Sequence, residues 1–231
     1  MEQLDRLRQG FLKNYHERIT TIDSHTQGEP TRLIIDGFGR LRGKTMQEKR
    51  QEFAREYDHL RLLLTREPRG HRDMFAAALT EPASEQAHFG LIYMDAERYP
   101  FLCGHATIGA VTVLIETGAL SVSDGQTVIT VDTPSGPVEA LASVSGGQVT
   151  SVALDMVPSF VLGTGYKLRL FNHGTINVDL VCVGGFFAMV EADEIKTPLV
   201  SEQSRYLTEL GMAIIEAANQ QLSVHPVSYT H

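Results

Sequence analysis

The sequence predicts an α+β fold built from many short strands and three or four helices. Two observations carry that reading. Short apolar stretches recur between Gly, Pro and polar turn residues, and helical periodicity is confined to a few segments. A third observation narrows it: no βαβ repeat is visible, no glycine-rich phosphate loop follows a strand, and no tandem repeat of about 20–50 residues occurs.

Taken in order, residues 1–17 read as a short, mostly polar helical extension. From Arg18 to Asp36 the pattern is strand, polar loop, strand: ITTID, SHTQGEP, TRLIID. Met46 to Leu64 is helical, with Phe53, Tyr57, Leu60 and Leu64 at helical spacing and charges between them. EPRGHRD (67–73) is a turn. MFAAALT and FGLIYMD are strands split by the loop EPASEQAH. Residues 103–118 form a compact apolar helix closed by Gly118 as a C-terminal cap. TVITVDTP, GPVEALASV and VTSVALDMV follow as strands, the last two separated by Gly146-Gly147. TINVDLVCVGGFFAMVEA (175–192) is a strand pair, or one bulged strand, around Gly184-Gly185. Ser201 caps a long helix through Gln221. Gln203 and Ser204 lie in its first turn, and Leu207, Leu210, Ile214 and Ala218 form one stripe.

Composition removes several function classes. At 231 residues the chain can bury a sizeable core in one or two domains. Twenty basic against 28 acidic residues leave a net charge of −8, which disfavours a phosphate backbone as partner. It also supplies no basic face for an anionic membrane. No run of about 18 apolar residues is present, so no membrane-spanning helix is expected. The N-terminus mixes charges of both signs around no apolar segment, unlike a secretory signal. Two cysteines, Cys103 and Cys182, are too few for a disulfide framework, and no C-x-x-C pair suggests zinc. The expected setting is cytoplasmic, and the expected partner is a small molecule or another protein.

One motif carries chemistry: Leu102-Cys103-Gly104-His105-Ala106-Thr107-Ile108-Gly109. A strand ending near Pro100 delivers a cysteine to the start of an apolar helix. Unpaired N–H groups and the positive end of the helix dipole are found there. Both are expected to lower the thiol pKa towards neutrality. The same N–H groups can hold a carboxylate, and Gly104 has no side chain to obstruct it. A thiol beside a carboxylate cradle suits removal of an amino-acid α-proton. A buried structural cysteine at a strand–helix junction fits the same features equally well.

CGHATIG resembles the first catalytic motif of the proline racemase family, Met-Cys-Gly-His-Gly-Thr-Ile-Gly. Further segments match in the same order. They are Ile22-Asp23-Ser24-His25-Thr26 with Gly28-Glu29-Pro30, Met46 with Glu48-Lys49-Arg50, and Asp58-His59-Leu60-Arg61. Glu67-Pro68-Arg69-Gly70-His71 with Asp73-Met74-Phe75, Val157-Pro158-Ser159-Phe160, and Gly211-Met212-Ala213-Ile214 with Asn219 continue the series. The resemblance runs from about Arg18 to His225.

It implies a diaminopimelate-epimerase-like fold of two similar domains, each with a sheet wrapped around a central helix. Residues 18–157 are then the first domain, carrying Cys103, and 158–231 an incomplete second one. It also implies an isomerase acting on proline or a hydroxyproline with no cofactor and no metal; a homodimer is the candidate assembly. Cys103 is the expected base, and Gly104 and His105 are expected to help hold the substrate. In racemases and epimerases of the family a second cysteine faces the first across the α-carbon. Relatives that dehydrate trans-3-hydroxyproline have threonine there.

The resemblance has gaps. The second motif, Ser-Pro-Cys-Gly-Thr-Gly-Thr, is expected beyond the 201–221 helix, and the chain stops at His231 before it, so this polypeptide is expected to be inactive alone. Cys182, in mid-strand, is expected to be core. Pro226–His231 reads PVSYTH, which coincides with the translated mosaic end of a transposase used in library preparation. Homology is therefore expected to end near His225, with 226–231 a non-native tail. Gly185 stands where many racemases have Asn, marking a divergent subgroup. CGHATIG follows the racemase and epimerase pattern more closely than the dehydratase one.

Other candidates have structural readings. His25 and Glu29 either approach substrate or order the loop between two strands. Glu67, Arg69 and His71 belong to a turn expected to be held by an ion pair and hydrogen bonds. Asp23 and His25 with a distant cysteine could suggest a Cys–His hydrolase, but no Gly-x-Ser-x-Gly or papain-like context supports it. A non-catalytic fragment or binding module is the reading from another class.

Overall fold

The computed structural model describes residues 18–223, together with Arg6 and Gly10. Apart from Arg6 and Gly10, the helix expected over 1–17 lies outside the described residues, as does the tail 226–231. The chain divides into two compact units, one up to Val157 and one from Pro158.

In the first unit, β1 (Thr20–Thr26) and β2 (Glu29–Asp36) form a hairpin. Gln27 and Gly28 turn it with φ of +52° and +96°, so the expected seven-residue loop shrinks to two residues. β3 (Ala76–Thr80), β4 (Phe89–Met94), β5 (Gly125–Thr133), β6 (Gly136–Ser145) and β7 (Gln148–Asp155) complete one mixed sheet in the order β1 to β7. The pairs β2–β3 and β4–β5 are parallel and the others antiparallel.

The helix expected over Met46–Leu64 is two helices, α1 (Met46–Glu56) and α2 (Asp58–Thr65). Tyr57 breaks it, at φ −124° and ψ 18°. Its ring packs against Phe38 and Phe53, and its hydroxyl accepts the Gly39 amide at 3.0 Å, so tertiary contacts override the helical pattern. Thr45 caps α1 by accepting from Glu48 N at 3.1 Å, while the Glu48 carboxylate accepts from Lys44 N at 2.7 Å.

The helix α3 (Gly104–Glu116) ends through Thr117 into Gly118 at φ +75°, the cap the sequence indicates. It packs against β1, β2, β6 and β7. β1 and β7 are opposite edges of the sheet, so contact of both with one helix requires the sheet to curl around it. This is the helix-centred domain the resemblance implies. Central strands are covered on both faces. Leu33, Ala77, Leu91 and Tyr93 face α3, while Ile34, Ala76, Ala78 and Ile92 face Phe53, Leu60 and Leu64 of α1 and α2. The alanines of β3 leave room for helices on either side.

The second unit holds β8 (Phe160–Leu170), β9 (Gly174–Cys182) and β10 (Phe186–Met189) in one antiparallel sheet, order β10-β9-β8. β8 has no counterpart in the sequence reading. Its alternation is interrupted at Gly163 and Gly165, where the pairing with β9 shifts register. β9 and β10 are the strand pair foreseen around Gly184-Gly185. A short helix α4 (Ala192–Ile195) precedes α5 (Ser204–Gln221). Ser201 is not the cap of α5: Ser201–Gln203 forms a 3-10 turn, with the Ser204 amide donating to Ser201 O. Leu210, Ile214 and Ala217 of α5 bury Leu168, Leu170, Ile176 and Val178. Each such large side chain contributes about 1.5–3 kcal/mol on burial. Among the described residues no helix is long and apolar enough to cross a membrane.

Candidate active site

Cys103 is the N-cap of α3, extended at φ −150° and ψ 116°. The first amides of α3 therefore point out beside its side chain. A Cβ on Gly104 would meet only Leu154 Cδ1, at 3.8 Å, so the approach to the helix end is open. The His105 ring turns back on the thiol, with Nδ1 3.3 Å and Nε2 3.7 Å from Sγ. Its other neighbour is the Phe75 ring, edge-on at 5.0 Å. The three residues singled out by sequence thus sit together, but His105 addresses the sulfur.

The thiol pKa moves opposite to the sequence expectation. Burial pushes it up to about 11, and the charges of Glu29 and Asp95 add to the rise. The amides of Ala106 and His105 pull it down by less. The helix-end effect is present and is outweighed.

Three features position this helix start. Tyr93 and Thr107 are both fully buried, and their hydroxyls lie 2.7 Å apart. Thr107 Oγ1 donates to Cys103 O at 2.7 Å. Thr26, at the end of β1, donates to His105 O at 3.0 Å. The loop 95–101 leading into Cys103 is held by three arginines. Arg50 donates twice to Tyr99 O, at 2.8 and 2.6 Å, and lies over the Phe101 ring. Arg61 donates to Ala96 O at 2.7 Å and pairs with Asp58 at 2.7 Å, and Arg66 donates twice to Ala96 O. Sequence reasoning missed these roles. Their signals were a tyrosine in the apolar strand FGLIYMD and the arginines that close the segments Glu48-Lys49-Arg50 and Asp58-His59-Leu60-Arg61.

The remaining candidates hold the scaffold. His25 Nδ1 accepts from Gly28 N at 3.2 Å and orders the β1–β2 turn. Asp23 grips Arg32 through two contacts, at 2.9 and 2.7 Å. Arg32 also donates to Leu64 O and Arg69 O, at 2.9 and 2.6 Å. It is thus Arg32, through the Arg69 carbonyl, that holds the EPRGH turn. Among the described residues no ion pair of Glu67 or Arg69 does so, and His71 Nδ1 accepts from Asp73 N at 3.2 Å. Cys182 is buried at the end of β9, and burial raises its thiol pKa. Among the described residues no group of three or more His, Cys, Asp or Glu side chains is arranged to hold a metal.

A family model described as proline racemase matches residues 21–230, which includes most of the segment expected to be a non-native tail. A 4-hydroxyproline 2-epimerase of Streptosporangium roseum is 39% identical over 207 residues, covering 89% of this chain and 62% of its own length. A proline racemase of Clostridioides difficile is 34% identical over 217 residues, covering 94% and 65%. A trans-3-hydroxy-L-proline dehydratase of Colwellia psychrerythraea is 34% identical over 211 residues, covering 91% and 59%. The chain therefore spans somewhat less than two thirds of the curated relatives it matches. Among solved structures, a hydroxyproline epimerase from Agrobacterium vitis with bound trans-4-hydroxy-L-proline superposes with a TM-score of 0.86 at 27% identity. That superposition covers 92% of this chain and 63% of the other.

Proposed function

The chain belongs to the proline racemase family, and from that premise we propose that Cys103 exchanges the Cα proton of proline or a hydroxyproline. The observation that carries this reading is the position of its Sγ, at the N-cap of α3 beside His105 and the open backbone of Gly104. The substrate carboxylate is held at the start of α3 by the Gly104 amide, with the His105 amide shared between carboxylate and sulfur, which brings Cα to the sulfur. The thiolate then takes the proton: the Cα–H bond breaks, an S–H bond forms, and the electron pair spreads into the carboxylate. N–H donors already aimed at that carboxylate stabilise the charge without reorganisation. Inversion needs a second acid on the opposite face of Cα. Cys182, buried in the β9–β10 hairpin, is not that group.

A thiol of pKa about 11 is ionised only to about one part in a thousand at pH 8. The substrate's cationic ring nitrogen brings a positive charge against the site and favours ionisation of the thiol, whose proton passes to the His105 ring 3.3 Å away. The partner is thus a small zwitterion. A reducing, cytoplasmic setting keeps the thiol free.

Dehydration of trans-3-hydroxy-L-proline is a second reading, favoured by the Colwellia psychrerythraea relative. It begins with the same proton abstraction and differs in the residue across Cα. The test is deuterium exchange at Cα of L-proline and trans-4-hydroxy-L-proline in D₂O, using this domain in a chain of the relatives' full length. Cys103→Ser is expected to abolish exchange. Exchange that survives in Cys103→Ser overturns the assignment.

A further inference from the structure

Tyr93 and Thr107 lie behind the reactive sulfur, fully buried, on different elements. Thr107 has one hydroxyl proton, and it is given to Cys103 O at 2.7 Å. The 2.7 Å contact between Tyr93 Oη and Thr107 Oγ1 must then be supplied by the phenol proton. Direction is therefore fixed along the chain: Tyr93 O–H to Thr107 O–H to Cys103 C=O. The Thr107 amide donates to the same carbonyl at 3.1 Å, so that oxygen has both lone pairs engaged by one residue. Burial also raises the Tyr93 pKa, which keeps the phenol protonated as a donor.

A carbonyl so held fixes the peptide plane after Cys103, and with it the direction in which the Cα–Cβ bond carries the thiol towards the amides of His105 and Ala106. We propose that Tyr93 and Thr107 are positioning residues for Cys103, a buried two-hydroxyl relay that aims the thiol at the amides which stabilise its charged form. The proposal rests on the reading of Cys103 as the base, but it concerns how the sulfur is held and can be tested apart from turnover. Ordinary core packing at these two places needs neither hydroxyl. A phenylalanine and a valine would fill the same volume, so the hydroxyls are the part to be explained.

The test is the pH profile of Cys103 alkylation by iodoacetamide in the 231-residue chain, resolved from Cys182 by peptide mass spectrometry. Thermal melting is followed in parallel. In Tyr93→Phe the sulfur is less well held against its amides, so the profile is expected to move to higher pH. At a fixed pH below the midpoint the rate should fall about threefold, the effect of half a pH unit. Thr107→Val is expected to move it further, and Thr107→Ser to restore it to within about twofold of wild type. Profiles of Tyr93→Phe and Thr107→Val that overlay wild type, with only the melting temperature lowered, overturn the relay. A Thr107→Ser profile displaced as far as that of Thr107→Val overturns it too. If Thr107→Val does not fold, Tyr93→Phe alone decides. Loss of the Cys103 dependence of Cα exchange would instead overturn the reading of Cys103 as base, and leaves these profiles to stand or fall by themselves.

Discussion

His105 Nδ1 lies 3.3 Å from the sulfur of Cys103, two residues away at the start of the same helix. With its proton on that nitrogen the ring donates to the thiolate, and it is the nearest side chain able to do so. His105→Phe keeps an aromatic ring against Phe75 and removes the donor. Alkylation of Cys103 at about pH 9 is expected to slow about tenfold, the worth of one charge-assisted hydrogen bond of about 1.5 kcal/mol. An unchanged rate would place the donor elsewhere.

The raised thiol pKa has a consequence for stability. The folded value is about 11 against an ordinary 9.0, so the fold favours the protonated thiol. Its contribution is fully present below about pH 9 and is lost as pH climbs from there through 11. Urea midpoints should show wild type losing about 2 kcal/mol across that window relative to Cys103→Ser. Parallel pH curves for the two proteins would contradict the assigned shift.

Gly70 is wedged against the backbone of Thr65, with no room for a Cβ. Gly70→Ala must push one main chain off the other, which is expected to destabilise the first unit by about 2–3 kcal/mol. A denaturant titration that finds it within about 0.5 kcal/mol of wild type would show that the turn relaxes freely.

Arg61 ties α2 to the loop before the thiol, and its side chain is only 9% exposed. Arg61→Ala leaves Asp58 without its paired cation and takes one donor from Ala96 O, which Arg66 still holds. The expected cost is about 2–3 kcal/mol, well below that of a fully buried pair because Asp58 remains in contact with water. Arg55→Ala, which removes an exposed pair with Glu56, serves as the control and should leave the melting curve in place. Equal losses in the two variants would mean that the clamp is not special.

The sequence made α3, its Gly118 cap and most strands of the first unit legible because each rests on local pattern. The splitting of a helix at Tyr57 was not legible, since it depends on Phe38 and Gly39 meeting that ring. β8 escaped because Gly163 and Gly165 break its alternation, and the partner that makes it a strand arrives later in the chain. At the site, Cys103, Gly104 and His105 could be named from a single heptapeptide. The sign of the thiol shift could not, because Glu29 and Asp95 reach it from other elements and burial is a property of the folded chain. The Tyr93–Thr107 contact joins a strand to a helix across the core, and nothing in either segment announces the other.

In the seven-stranded sheet, spatial order repeats sequence order from β1 to β7. During synthesis, each new strand therefore meets a neighbour already made, and no strand has to be inserted between two others. Growth proceeds at one margin, with α3 emerging midway as the former around which later strands bend. When Asp155 has cleared the ribosome, all the hydrogen-bonding partners of this sheet are present. Cys103 can then be seated at the start of its helix before the second unit has been translated.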